Sequence, residues 1–173
     1  MLGIALATSL IFVSWALVDT VQLLLERQFV QIQRADATVV LAASRPASDV
    51  ATYVNVDGVA AIEPQLSVPV TLDGGSRRYA TALIGLVPGT TMRSLAGSDG
   101  HAIPLDPGGV ILGTALRDTL AVGVGDTVSV ALETGVINGV GIGGNGTRVA
   151  DLRVIGFDNE PLGSVAYASL STV

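Results

Sequence analysis

The chain has 173 residues, a formal net charge of −6, no cysteine and no lysine. This length allows one domain with its own core and one additional helix. The acidic composition argues against nucleic-acid binding, which needs a basic surface. The absence of cysteine excludes disulfides, thiol nucleophiles and zinc–thiolate sites.

The first predicted element is a membrane-spanning helix at residues 1–18, which carry no charged side chain. As a helix this segment is about 27 Å long, close to the roughly 30 Å of bilayer hydrocarbon. Trp15 lies near its end, where aromatic side chains meet the membrane interface. A cleaved signal peptide and a buried helix are the alternative interpretations. Arg27 and Arg34 follow the helix, and the positive-inside rule read literally places that side in the cytoplasm.

The helical pattern continues beyond the apolar run. Apolar residues recur at steps of four and three on one face: Val21, Leu25, Phe29 and Ile32. No glycine or proline interrupts the chain here, so we predict one long helix from Ile4 to about Arg34. Its amphipathic part is expected to form a stalk that packs on the following domain or on a partner helix.

Two elements are predicted between the stalk and residue 60. Residues 37–42 contain the run Val39-Val40-Leu41 and are predicted to form a strand buried on both faces. Residues 47–56 are predicted to form a short helix. Its inward positions are expected to be Val50, Tyr53 and Val54, and its cap Ser48 or Asp49.

A β-hairpin is predicted next. Residues 65–72 alternate apolar and polar side chains, and Pro69 favours an edge position for this strand. Asp73-Gly74-Gly75 is a hairpin signal, and residues 78–86 form the returning strand. Residues 90–107 have weak periodicity and are predicted to be irregular or to form a short helix.

The last part of the chain is predicted to contain a strand–helix–turn–strand unit. Its parts are a strand at 109–112, a helix at 114–120, a turn at 123–126 and a strand at 127–132. Thr114 is the expected N-cap, and Ala115, Leu116 and Leu120 are expected to point inward. Asp126 is expected to hydrogen-bond backbone amides in the turn. A glycine-rich connection at 135–147 leads to strands at 148–157 and 164–168.

Several of these segments together resemble the extracytoplasmic domain of FtsX/MacB/LolC-type ABC transporter permeases. The segments are residues 58–64, 82–88, 109–116, 120–128, 154–157, 161–163 and 166–170. The most specific among them is the strand–helix–Gly-x-Gly-Asp–strand unit that contains Gly123, Gly125 and Asp126. The predicted fold class is α+β: a long N-terminal helix (residues 1–34) followed by a β-rich extracytoplasmic domain (residues 35–173).

The resemblance implies a non-catalytic permease component of a bacterial exporter or mechanotransmission complex. The implied partners are a cytoplasmic ABC ATPase, a second permease copy or paralogue, and the plasma membrane. Members of this family have further membrane helices, whereas no second apolar span follows Ser164. We therefore expect this chain to be part of a longer permease. The alternative function is a single-helix, membrane-anchored binding or adaptor module.

No residue is predicted to be catalytic or to bind a cofactor or metal. His101 is the only histidine, lies in a loop-like setting and is expected to be solvated. Residues 141–146 match G-x-G-x-x-G, but they precede a predicted strand, whereas a dinucleotide site opens a helix. Arg77 and Arg78 are expected to be solvated at the hairpin. A secreted hydrolase is the third hypothesis, and it lacks a clustered acid–base pair.

Overall fold

The computed structural model describes residues 2–26, 32–43, 45–54, 56–132, 136–137, 140–141, 148–160 and 163–173. Helix α1 (Leu2–Glu26) begins the chain. Within the described residues, Gly3–Glu26 is the one helix long and apolar enough to cross a membrane, with a mean hydropathy of 1.9. Its Thr8 and Thr20 hydroxyls donate to the carbonyl oxygens of Ile4 and Ala16 at 2.7 Å. These hydroxyls therefore need no water as a partner.

The prediction of one helix reaching Arg34 is wrong. Gln33 lies opposite Arg93 in an isolated antiparallel bridge. The Arg34 N–H donates to the Met92 carbonyl at 3.0 Å, and the Ser94 N–H donates to the Ile32 carbonyl at 2.9 Å. These pairings satisfy backbone groups that a helix would have used, and they bury Ile32. In α1, by contrast, the stripe residues Val21 and Leu25 are exposed, and Phe29 lies outside the described residues.

The predicted strand at residues 37–42 is also wrong. Val39 and Val40 are 78% and 83% exposed, and none of the described residues pairs with this segment as a strand. A run of β-favouring side chains needs a neighbouring strand, and the barrel is complete without this one. The short helix that follows is a 3₁₀ helix, Ala47–Thr52.

Two details predicted for this short helix are wrong. Pro46 occupies the cap position, so neither Ser48 nor Asp49 caps the helix. Tyr53 and Val54 are exposed where the sequence predicted inward positions, because no described element covers that face.

The body of the protein is a closed barrel of six strands. In order around the barrel they are β1 (Leu66–Asp73), β2 (Arg78–Leu86), β8 (Ala166–Ser169), β3 (Gly109–Gly113), β7 (Arg148–Asp158) and β4 (Thr127–Leu132). The pairs β2–β8 and β3–β7 are parallel, and the other pairs are antiparallel. Strands β5 (Val136–Ile137) and β6 (Val140–Gly141) form a separate two-stranded sheet. With the long α1, this architecture confirms the α+β class.

Strand β1 shows the predicted alternation but is not an edge strand. Val70 and Leu72 face the interior at 1% and 0% exposure. The strand pairs with β2 along its length and with β4 from Val70 onward. Pro69 lacks an N–H and lies just before the β4 pairing begins, so the closed barrel accommodates it. The predicted hairpin is confirmed, with Gly75 at a φ of +89°.

Helix α2 (Thr114–Leu120) buries Leu116 and Leu120 completely in the barrel core. Ala115 is exposed, contrary to prediction, because the helix presents only one face to the strands. Gly113 is the N-cap instead of Thr114, whose hydroxyl donates to the Asp158 carbonyl at 2.8 Å. In the following turn the Asp126 carboxylate accepts the Gly123 N–H at 2.7 Å, which confirms the role predicted for Asp126.

A second apolar cluster lies on the outside of the barrel. Ile111 of β3 and Tyr167 of β8 pack there with Leu86, Leu95 and Leu105. The irregular chain between β2 and β3 thus covers the outer face of two strands. Strands β3 and β8 are consequently buried on both faces.

Candidate functional site

The residues that the sequence offers as candidate sites, His101 and the pair Arg77 and Arg78, do not form a common site in the structure. The His101 side chain is 85% exposed, and its Nδ1 lies 3.2 Å from Asp99 Oδ2. The hydrogen bond from the His101 backbone lowers the pKa of Asp99. Arg78 pairs with Asp73 at 2.7 Å, and Arg77 donates to the Asp118 carbonyl at 2.9 Å, both beside the hairpin.

The described residues contain no group of three histidine or carboxylate side chains placed to hold a metal ion. Most of the G-x-G-x-x-G stretch, residues 142–146, lies outside the described residues. The absence of catalytic, cofactor and metal sites stays a prediction.

The part of the structure that links separate regions is the segment at residues 90–96, which we call the bridging segment. On one side it pairs with residues 32–34, which follow α1 in the chain. On the other side Ala96 contacts the end of β7. The Ala96 N–H donates to Asp158 Oδ1 at 2.8 Å, and the Asn159 N–H donates to the Ala96 carbonyl at 2.9 Å. The bridging segment therefore joins the N-terminal chain to the barrel.

Arg93 makes the side-chain connection between the bridging segment and the barrel. Its Nη2 lies 2.8 Å from both carboxylate oxygens of Glu160 and donates to the Tyr167 hydroxyl. The Tyr167 hydroxyl in turn donates to Glu160 Oε2. The side chains of Arg93 and Glu160 are only 15% and 5% exposed. We call Arg93, Glu160 and Tyr167 the Arg93 cluster.

The electrostatics of the Arg93 cluster keep Tyr167 protonated. Burial raises the pKa of the Tyr167 hydroxyl, the Arg93 charge lowers it, and the Glu160 carboxylate raises it again. The net shift is upward, so the hydroxyl remains a hydrogen-bond donor to Glu160 across the physiological pH range. The Arg93 guanidinium also lies over the Tyr167 ring, 4.7 Å from its centroid. The cluster therefore combines an ion pair, a hydrogen bond from a neutral tyrosine hydroxyl and a cation–π contact.

Glu63 holds the start of the bridging segment. Its carboxylate accepts hydrogen bonds from the Thr90 hydroxyl and from the Thr91 N–H and hydroxyl, the last two at 2.9 and 2.8 Å. Partial burial raises the pKa of Glu63, but the hydrogen bonds from Thr90, Thr91 and Met92 outweigh this effect. The pKa of Glu63 therefore lies below its ordinary value of 4.5.

Acidification is expected to release the contact made by Glu63. Because the folded-state pKa is depressed, its contribution to stability is complete above pH 4.5 and is lost as the pH falls through the lower folded-state value. At neutral pH, Glu63→Gln is expected to lower the free energy of unfolding by about 1 kcal/mol, since the carboxylate is partly exposed. Urea denaturation of the detergent-solubilised chain, followed by circular dichroism, measures this difference.

The difference between the natural chain and Glu63→Gln should shrink as the pH falls below 4.5, because protonation of the carboxylate removes its hydrogen-bond-accepting charge. The exposed Asp57, changed to Asn, is the control and should match the natural chain at each pH. A difference for Glu63→Gln that stays constant from neutral to acid pH would contradict the assignment.

Sequence reasoning missed all three residues of the Arg93 cluster as a site. Arg93 lies in a segment of weak periodicity, and its partners are 67 and 74 residues away in the chain. No local spacing connects them. The one available signal was a single arginine in the otherwise uncharged stretch of residues 79–98, which contains a predicted strand and irregular chain.

Comparison with known protein families accounts for the whole chain. The model of the MacB-like periplasmic core domain matches residues 1–173. No curated individual protein matches. The match includes the apolar helix α1 as well as the barrel, and together they indicate a membrane-anchored protein of the ABC-permease type. The chain therefore belongs to the family of MacB-like periplasmic core domains.

Proposed function

We propose that this chain is the first membrane helix and extracytoplasmic domain of a permease component in an ABC-type exporter or mechanotransmission complex. Residues 1–34 form the helix in the bacterial plasma membrane and the segment that connects it to the domain. Residues 35–173 form the extracytoplasmic domain. A cytoplasmic ABC ATPase hydrolyses ATP, and this chain passes the resulting motion outward. The chain itself is non-catalytic.

The observation that carries this proposal is the family match across both α1 and the barrel. The pairing of residues 32–34 with the bridging segment supports it, because the chain leaving the membrane is fastened to the domain within a few residues of α1. A closed barrel has no free edge and a fully packed core, so it moves as a rigid body. Displacement of the N-terminal chain then acts on the barrel as one body through these contacts.

Co-purification of the native gene product from its own cells tests this function. An affinity tag on that product, extracted from membranes in mild detergent, is expected to recover an ABC ATPase and a second permease copy or paralogue, identified by mass spectrometry. A comparison variant, Leu10→Arg, places a charged residue in the middle of α1 and should reduce the recovery of both partners. Recovery of the intact, membrane-bound protein without any ATPase would contradict the permease and favour the single-helix adaptor module.

A further inference from the structure

We propose that Arg93 is a positioning residue whose contact with Glu160 and Tyr167 is the releasable joint between the N-terminal chain and the barrel. This inference rests on the proposed function for its biological meaning, but its physical content concerns this chain alone. When the contact opens, residues 32–34 and 90–94 leave the barrel together, while the barrel stays closed.

Arg93 belongs to both sides of the joint. Its backbone lies opposite Gln33, between the two hydrogen bonds that tie residues 32–34 to residues 92–94. Its side chain reaches the barrel at Glu160, which follows β7, and at Tyr167 in β8. A displacement of the N-terminal chain therefore acts directly on Arg93, whose side chain makes the polar contact with the barrel.

The geometry of the joint favours two states over elastic stretching. All three acceptor contacts converge on a single nitrogen, Nη2, while Nε is buried without a hydrogen-bond partner among the described residues. Hydrogen bonds weaken steeply with distance and misalignment, so a small shift of Nη2 weakens all three contacts at once. The contact is consequently either made or lost.

Contacts outside the joint keep the released part together. Glu63 binds Thr90 and Thr91, and the backbone bonds of Arg34 and Ser94 do not involve the barrel. Opening at Arg93 therefore leaves these pairings intact. The attachments that remain are the bond from the Ala96 N–H to the Asp158 carboxylate, the bond from the Asn159 N–H to the Ala96 carbonyl, and the Leu95 side chain in the outer apolar cluster. Together they serve as the hinge.

Amide hydrogen exchange of the intact chain in detergent or nanodiscs tests the joint. In Glu160→Gln the Ser94 amide is the reporter and is expected to exchange about tenfold faster or more, because the ion pair of Arg93 with both carboxylate oxygens is lost. Once released from the barrel, the Ser94 N–H bond to the Ile32 carbonyl is supported only by the neighbouring backbone bond of Arg34, so it opens more often. The Gly113 amide, which donates to the Val165 carbonyl at 2.9 Å in the barrel, should change less than about threefold. Tyr167→Phe keeps the ring against Arg93 and should give a smaller acceleration at the Ser94 amide.

Arg78→Gln is the control, because it removes one member of an exposed ion pair with Asp73 and should leave both sets of amides unchanged. Equal acceleration in the barrel and the bridging segment would overturn the proposal, since Glu160 would then be a general stability residue. Unchanged exchange in both variants would also overturn it. If Glu160→Gln fails to fold, Tyr167→Phe decides by the same criterion. Failure of ATPase co-purification would refute the proposed function and leave this result standing.

Discussion

Replacing Arg93 with methionine is expected to lower the free energy of unfolding by about 3–5 kcal/mol. The reason is that Glu160, whose side chain is 5% exposed, loses the Arg93 guanidinium, which contacts both of its carboxylate oxygens at 2.8 Å. A buried carboxylate without a charged partner costs more than the lost attraction alone, because its hydration is not recovered. Urea denaturation of the detergent-solubilised chain, with circular dichroism as the signal, measures the change.

The same substitution at an exposed ion pair is the matched control. Arg78 contacts Asp73 at 2.7 Å, but its side chain is 76% exposed, so Arg78→Met should cost between about 0 and 1 kcal/mol. The double variant Arg93→Met with Glu160→Met should recover most of the stability lost in Arg93→Met, because no charge is then left buried. A cost for Arg93→Met as small as that for Arg78→Met would contradict our description of the cluster.

Replacing Leu116 with alanine is expected to lower the free energy of unfolding by about 2–5 kcal/mol. Leu116 is 0% exposed and packs in the main core cluster with Leu112, Leu120 and Val154. The surrounding strands are fixed by barrel closure, so they relax little into the space that the substitution leaves. The same denaturation experiment measures this loss.

Thr119→Ala is the control on the same helix. Thr119 is exposed and its hydroxyl donates only to the Ala115 carbonyl one turn away, so its removal should change stability by less than about 0.5 kcal/mol. If Leu116→Ala and Thr119→Ala had similar effects, α2 would not form part of the barrel core.

The strands of the barrel could be predicted because their signals are local. In β1 the alternation of Leu66, Val68, Val70 and Leu72 with polar residues fixes which face is buried, and the glycines after Asp73 fix the turn. The short helix α2 was bounded correctly for the same reason. What no local pattern contains is the order of strands around the barrel, and therefore the prediction of an edge position for Pro69 failed.

Two failures have a common physical cause. The run Val39-Val40-Leu41 predicts a buried strand, yet Val39 and Val40 are exposed. The helical pattern predicts a helix to about Arg34, yet residues 32–34 pair with the bridging segment. In both cases the side-chain pattern was read correctly as apolar or periodic. The structure depends instead on which backbone partner is near, and that partner lies about 60 residues away in the case of Gln33 and Arg93.

The position of β8 in the barrel has a consequence for biosynthesis. Strand β8 (Ala166–Ser169) lies between β2 and β3, although it follows every other strand of the described residues in sequence order. While the ribosome is still translating the residues before it, β2 and β3 therefore lack the neighbour that joins them, and the barrel core stays open on that side. A nascent chain tethered at the membrane by α1 must keep these strands apart from other chains until residue 169 has been synthesised. This interval is therefore the period of greatest aggregation risk, and it is the stage at which a chaperone would bind.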